Sequence, residues 1–102
     1  MRDGAIRRFN FTADLAWKTL QSVLEETFDV HASSPKTAVR VSYERGLILG
    51  ASSWLSMIDD RNLSGHSNDD KIAEELYARL PHYADLVLTL LETLRSERGA
   101  VE

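Results

Sequence analysis

The sequence contains no cysteine and only two prolines among its 102 residues. Without cysteine there is no disulfide, no thiolate nucleophile and no cysteine-based zinc site. No apolar run is long enough to span a membrane, and the N-terminal segment lacks the apolar stretch of a secretory signal. These absences predict a cytoplasmic protein that is not held in a membrane.

Positive charge is also scarce, since 12 basic residues face 16 acidic ones and the net charge is −4. Such a chain is a poor non-specific ligand for nucleic acid, because neutralisation of phosphates supplies most of that affinity. An RNA contact would therefore need a local cluster of cations. Scattered arginines are more often simply solvated. The arginines considered for a cluster are Arg7, Arg8, Arg40, Arg45 and Arg61.

Apolar side chains spaced by three and four residues predict a first helix from about Gly4 to Glu26. Phe11 and Leu15 form a second apolar stripe beside its main face. An apolar arc this wide predicts contacts on two sides, within the fold or with another chain.

A second, shorter helix is predicted to begin at Pro35, with Ser34 as its N-cap, and to run to about Arg45. Gly46 is a typical left-handed stop after it. A third helix, capped by Ser52 or Ser53, is predicted to end near residue 62.

The segment Ser64-Gly65 is predicted to break the third helix, and Asn68 or Asp69 to cap a fourth. Pro81 is expected to kink or restart that fourth helix, because proline removes an intrahelical hydrogen bond. No strand pattern competes. The sequence therefore predicts one all-α domain over residues 1–102, folded as an antiparallel up-and-down bundle that resembles a four-helix bundle.

Arg61 and His66 form the pattern Arg, four residues, His, which is weak alone because nine arginines and three histidines make chance occurrences common. The plainer reading is an arginine at a helix end, paired with Asp59 or Asp60, followed by a loop histidine. In an unbroken helix, residues five apart point about 140° away from each other. A break before His66 would instead let both side chains point into one space.

Such a pair suits RNA cleavage without a metal, in which the ribose 2′-hydroxyl attacks the adjacent phosphorus. Histidine can act as base or acid near neutral pH, and the planar fork of arginine suits phosphate oxygens. Asn62 could hold the histidine or a phosphate oxygen. One chain offers one such histidine, so a two-fold homodimer would supply both acid and base. No cofactor and no metal site are predicted, and His31 and His82 are interpreted as structural.

Several segments resemble the HEPN superfamily, in particular the proteins called nucleotidyltransferase substrate-binding proteins. Leu-Ala-Trp-Lys-Thr-Leu and Asp-Arg-Asn-Leu-Ser-Gly-His are the specific ones. The resemblance implies a helical homodimer that pairs with a separately encoded minimal nucleotidyltransferase, often as a toxin–antitoxin system. The similar segments are Phe9 to Leu20, Ser34 to Lys36, Arg45 to Ile48 and Trp54 to His66.

By this resemblance, Arg61, Asn62 and His66 take the roles of a ribonuclease site at the dimer cleft. Two departures stand out. Asn68 occupies the position of a tyrosine that the partner enzyme adenylylates in related toxins, and we expect the chain to lack the family's first helix. Two other functions stay open: a non-catalytic subunit that binds nucleotide or substrate for the transferase, and a purely structural helical adaptor.

Overall fold

The computed structural model describes residues 2–66 and 69–101, without the side chains of residue 66 and residues 97–101. Within these residues the fold consists of four helices. No strand occurs in this described part, so the predicted all-α class is confirmed. The helices are α1 (Arg2–Phe28), α2 (Pro35–Glu44), α3 (Ser52–His66) and α4 (Asp70–Val101).

The predicted start and stop signals of α2 are confirmed. The Ser34 hydroxyl accepts a hydrogen bond from the backbone N–H of Thr37 at 3.3 Å, and Pro35 occupies the first helical position. Gly46 follows the helix with φ of +79°, a conformation that a side chain would strain.

The start of α4 is capped by Asp69, one of the two residues predicted for this role. Its carboxylate accepts a hydrogen bond from the backbone N–H of Lys71 at 2.8 Å. The alternative cap, Asn68, lies outside the described residues.

The predicted break at Ser64-Gly65 is wrong, because α3 continues to His66. The Ser64 hydroxyl lies 2.7 Å from Oδ1 of Asn10 on α1 and 3.1 Å from the carbonyl oxygen of Arg61. The first contact ties the last turn of α3 to α1, and the second lies within α3. They offset the weak helix propensity of Gly65, which is only about 1 kcal/mol below that of alanine.

Helix α4 also runs without interruption through Pro81, so the predicted restart is wrong. Pro81 lies on the exposed face, where water can bind the carbonyl oxygen that the proline ring leaves without a donor. The residues on both sides, Leu76 and Tyr83, are buried and hold the helix against the core.

The helices α1 and α3 form the centre of the fold. They contact each other, and each contacts both α2 and α4, whereas α2 and α4 do not touch across the described residues. The small side chains of Ala13 and Ala16 let neighbouring helices approach α1 closely. The buried core contains Phe9, Ala13, Ala16, Leu20 and Leu24 of α1, Ala38 and Val39 of α2, Trp54, Met57 and Ile58 of α3, Leu76, Tyr83 and Leu90 of α4, and Ala32, Leu47 and Ile48 of the connections.

Hydrogen bonds between side chains show how the three long helices run. Asp14 pairs with Arg61 and Asn10 with Ser64, so α1 and α3 are antiparallel. The pairs Asp60–Arg79 and Ser53–His82 make α3 and α4 antiparallel as well. The long helices therefore run up, down and up in chain order.

Part of the apolar surface stays uncovered. Phe11 and Leu15 are 66% and 51% exposed, so the predicted second stripe of α1 makes no close packing within the fold, and a contact with another chain stays a prediction. Leu88 and Leu91 on α4 are also about half exposed. None of the described helices is both long enough and apolar enough to cross a bilayer.

Candidate functional site

The best-held cation of the predicted site is the guanidinium of Arg61. Its Nε donates to Oδ1 of Asp14 at 3.0 Å, and its Nη2 donates to Oδ2 at 3.1 Å. This two-point contact between planar groups fixes the orientation of the guanidinium as well as its place. The hydrogen bonds to Asp14 raise the pKa of Arg61 above its usual value, so the side chain stays charged.

The plainer pairing of Arg61 with Asp59 or Asp60 is wrong. The carboxylate of Asp59 binds the Lys36 ammonium at 2.7 Å, which links α3 to α2. Asp60 is occupied by Arg79 of α4. Both neighbouring acids therefore have other partners, and Arg61 is held by Asp14 on α1, which no sequence motif had marked.

His66 is the last residue of α3, and its side chain lies outside the described part of the structure. Because the helix does not break, Arg61 and His66 belong to one helix, and their backbone positions are about 140° apart around its axis. The expectation that a chain break lets both point into one space is therefore wrong. Any convergence must come from the reach of the long arginine side chain or from a second subunit.

The Arg61 side chain does extend toward the turn that carries His66. A β-carbon placed on Gly65 would lie only 2.6 Å from Nη1 of Arg61. The guanidinium thus lies against the backbone of the residue that immediately precedes His66. The sequence pattern marked Gly65 only as a helix breaker. Its spacing of four from Arg61, which is one helical turn, was the signal that could have revealed this contact.

Asn62, the third predicted site residue, is exposed on α3 directly after Arg61. Its side chain forms no hydrogen bond with any part of the chain that the structure describes, so its amide is available to a ligand. It lies about 100° around the helix from Arg61.

A cleft of about 390 Å³ opens beside this site, between the first turns of α1, the end of α3 and the start of α4. Arg7 contributes an exposed guanidinium, and Asn10 and Ser64 contribute an amide and a hydroxyl. The remaining lining consists of three carboxylates and three apolar side chains: Asp3, Asp69, Asp70, Ile6, Ile72 and Ala73.

A second polar cluster lies between α3 and α4. Asp60 accepts hydrogen bonds from Nε and Nη2 of Arg79 at 2.8 and 3.0 Å and a short one from the hydroxyl of Tyr83. Burial, and then the hydrogen bond to Asp60, raise the pKa of Tyr83 to about 12. The Tyr83 ring stacks on Phe9 of α1 at 5.5 Å between centroids. The cluster therefore joins the helices that carry the candidate site.

The predicted arginines do not form one cluster. Arg45 lies over the ring of Phe28, 5.3 Å from its centroid, at the end of α1. Arg61 instead contacts α1 at Asp14. Asp14 lies about four helical turns, or about 20 Å, from Phe28 along α1. Arg7 lines the cleft beside Ser64, one turn of α3 beyond Arg61.

The other two histidines have partners within the fold. Nδ1 of His31 lies 2.5 Å from Glu25, and Nε2 of His82 lies 3.1 Å from the Ser53 hydroxyl. Within the described residues, no three His, Asp or Glu side chains come together as a metal-binding group.

The sequence of the chain matches a known protein family. The sequence profile described as "Nucleotidyltransferase substrate binding protein like" matches residues 1–96. The chain belongs to this family. The resemblance to the nucleotidyltransferase substrate-binding proteins of the HEPN superfamily is thus confirmed.

Two further proteins are similar to this chain, one in sequence and one in both sequence and structure. A "Probable ribonuclease HepT" of Haemophilus influenzae is 32% identical over 96 residues, which are 90% of this chain and 66% of the relative. The chain thus spans slightly less than two thirds of that protein. A crystal structure of a Thermus thermophilus protein is 40% identical and superposes with a TM-score of 0.87, covering 92% of this chain and 81% of the other. The helical fold is therefore shared with a solved structure.

Proposed function

We propose that this protein is a metal-independent endoribonuclease that acts as a homodimer and works with a minimal nucleotidyltransferase. Arg61, Asn62 and His66 are its proposed catalytic residues. The observation that carries the proposal is the pair of hydrogen bonds by which Arg61 binds Asp14. These bonds fix a charged guanidinium at the last turn of α3, which ends at His66. The name of the Haemophilus influenzae relative, a probable ribonuclease, supports the same reaction class.

In the proposed reaction, the ribose 2′-hydroxyl attacks the adjacent phosphorus, and the bond to the 5′-oxygen of the next nucleotide breaks. One His66 takes the proton from the 2′-hydroxyl, and the His66 of the second subunit gives a proton to the leaving oxygen. Arg61 stabilises the charge that grows on the phosphoryl oxygens. Asn62, exposed and without a hydrogen bond to a described residue, is proposed to hold a phosphate oxygen.

Dimerisation belongs to this proposal because each chain has only one His66. The uncovered apolar side chains of Phe11 and Leu15 are compatible with a contact between subunits, since soluble monomers seldom leave large apolar patches bare. The description of the family supports a nucleotidyltransferase as the separate partner. We propose that the two proteins act together in the cytoplasm as a toxin–antitoxin pair.

The alternative function is a non-catalytic subunit that binds nucleotide or substrate for the transferase. The cleft beside α3 favours it, because its volume of about 390 Å³ falls within the range of small-molecule sites. Arg7 and Asn10 would supply a cation for phosphate and an amide for a base edge. The family description names substrate binding rather than cleavage.

The deciding experiment incubates the purified protein with a mixture of RNAs in the presence of a chelator. We expect the wild type to cut RNA and leave 2′,3′-cyclic phosphate ends, and His66→Ala to lose cleavage by a factor of roughly 100 or more. The matched control is His82→Ala, which removes a histidine that bonds to Ser53 and should cleave like the wild type. Sedimentation and circular dichroism should give the same dimer and helix content for all three proteins.

Each function predicts a different pattern. If intact RNA remains with the wild type while a nucleotide binds and Arg7→Ala weakens that binding, the protein is the binding subunit. If the wild type sediments as a monomer, the two-histidine mechanism is wrong. A neighbouring reading frame that encodes a small protein with the Gly-Ser and Asp-x-Asp pattern of nucleotidyltransferases would support the paired system.

A further inference from the structure

Gly65 occupies a helical position that glycine does not favour. It lies inside the last turn of α3, where alanine would be more stable by about 1 kcal/mol. Its backbone does not require glycine, because Gly46 is the described glycine with positive φ. Another property of the site must therefore account for glycine here.

That property is the space taken by the Arg61 side chain. A β-carbon on Gly65 would lie 2.6 Å from Nη1 of Arg61 and 3.9 Å from its central carbon. The first distance is shorter than any tolerable contact between a methyl group and a nitrogen. Gly4 on α1 offers a direct comparison, since a β-carbon there would meet Nη1 of Arg8 at an ordinary 3.8 Å.

The place of Nη1 matters because Asp14 already occupies the other edge of the guanidinium. Asp14 accepts from Nε and Nη2, whereas Nη1 forms no hydrogen bond to a described residue. Its two N–H groups, together with the second N–H of Nη2, are therefore the donors left for an incoming anion. They lie over Gly65, next to the residue that ends α3.

We infer that Gly65 is a positioning residue: the absence of a β-carbon lets Arg61 reach Asp14 with one edge while Nη1 stays at the last turn of α3 to receive a phosphate oxygen. The phosphate contact rests on the proposed ribonuclease function, whereas the effect of Gly65 on the Arg61–Asp14 pair does not. A methyl group at residue 65 would push Nη1 away and break the two-point contact. The helix itself would gain stability from the same change.

The test compares Gly65→Ala with Gly4→Ala, which adds the same methyl group to another helix beside another arginine. Solvent exchange of the Arg61 Nε–H is measured by nitrogen-15 NMR, with Arg61→Lys used to assign the resonance. We expect exchange to become about tenfold faster or more in Gly65→Ala, because the hydrogen bond to a charged acceptor is lost. Gly4→Ala should exchange like the wild type.

RNA cleavage is measured on the same proteins. Gly65→Ala is expected to cleave about tenfold or more slowly than the wild type, with a melting temperature no lower, whereas Gly4→Ala keeps the wild-type rate. Gly65→Ser, which carries the same β-carbon, is the second variant if Gly65→Ala does not fold. It should show the same faster exchange of the Arg61 Nε–H and the same slower RNA cleavage.

The two readouts separate the two proposals. Wild-type exchange of the Arg61 Nε–H in Gly65→Ala would overturn the positioning role, whatever the cleavage rate. Faster exchange in a protein whose wild type leaves RNA intact would support the positioning role and count against the ribonuclease function. Faster exchange with unchanged cleavage would overturn the phosphate contact through Nη1.

Discussion

Asp14 and Arg61 join two helices by a pair of parallel hydrogen bonds although 47 residues separate them in sequence. Asp14 lies midway along α1, and Arg61 lies one turn before the end of α3. Their side chains keep 39% and 29% exposure, so the pair lies at the surface and is open to solvent. It orients Arg61 more than it stabilises the fold.

The first prediction concerns this pair. Asp14→Asn removes the charge and one of the two acceptors but keeps the size of the side chain. We expect RNA cleavage to fall about tenfold, while the free energy of unfolding falls by only about 1 kcal/mol because solvent screens the pair. Cleavage assays and urea unfolding measure the two effects.

Asp85→Asn is the control, since Asp85 is an exposed acid on α4 away from Arg61. It should leave both quantities unchanged. An Asp14→Asn protein that cleaves RNA at the wild-type rate would show that the orientation of Arg61 does not depend on Asp14.

The second prediction concerns Ser42, which is fully buried on α2 and whose hydroxyl forms no hydrogen bond to a described residue. Burying an unpaired hydroxyl is unfavourable, and alanine also has the higher helix propensity. Ser42→Ala should therefore raise the free energy of unfolding by about 1 kcal/mol. Ser56→Ala, at an exposed position within α3, isolates the propensity effect and should give a smaller increase. Equal or lower stability of Ser42→Ala would mean that the hydroxyl has a partner in solution.

The third prediction is a dependence of stability on alkaline pH. The pKa of Tyr83 rises to about 12 in the fold through burial and its hydrogen bond to Asp60, against about 10 in an unfolded chain. Between these values the folded protein holds a proton that the unfolded chain has lost. The contribution of Tyr83 is therefore fully present below pH 10 and decreases as pH rises to 12.

Unfolding of wild type and Tyr83→Phe from pH 9 to 12 measures this effect. Near pH 9 the variant should be less stable by about 1.5 kcal/mol, because it lacks the hydrogen bond to a charged acceptor. That difference should shift by about 2 kcal/mol in favour of the variant by pH 12. Tyr77→Phe, at a half-exposed position on α4, should show a much smaller change. A constant difference between wild type and Tyr83→Phe would contradict the raised pKa.

Local signals predicted the helices well but wrongly placed interruptions in α3 and α4. The cap at Ser34 and the turn at Gly46 depend on a few neighbouring residues, so the sequence was sufficient to place α2. The helix end predicted at Ser64-Gly65 and the restart predicted at Pro81 were wrong for one reason: packing against other helices outweighs a local penalty of about 1–3 kcal/mol. The connector after α2 shows the same limit: Leu47 is buried whereas Leu49 is 92% exposed, because tertiary packing decides which side of a connector is covered.

The sequence alone determined the helical class, the main core face of α1 and the family, because these depend on periodicity and on segments of contiguous residues. It also singled out Arg61, whose role stays a proposal. Only the tertiary structure decided that Asp14, rather than Asp59 or Asp60, holds Arg61, and that Gly65 makes room for it. These pairings depend on how α1 and α3 are packed, and nothing in the spacing of residues 14 and 61 along the chain encodes that register.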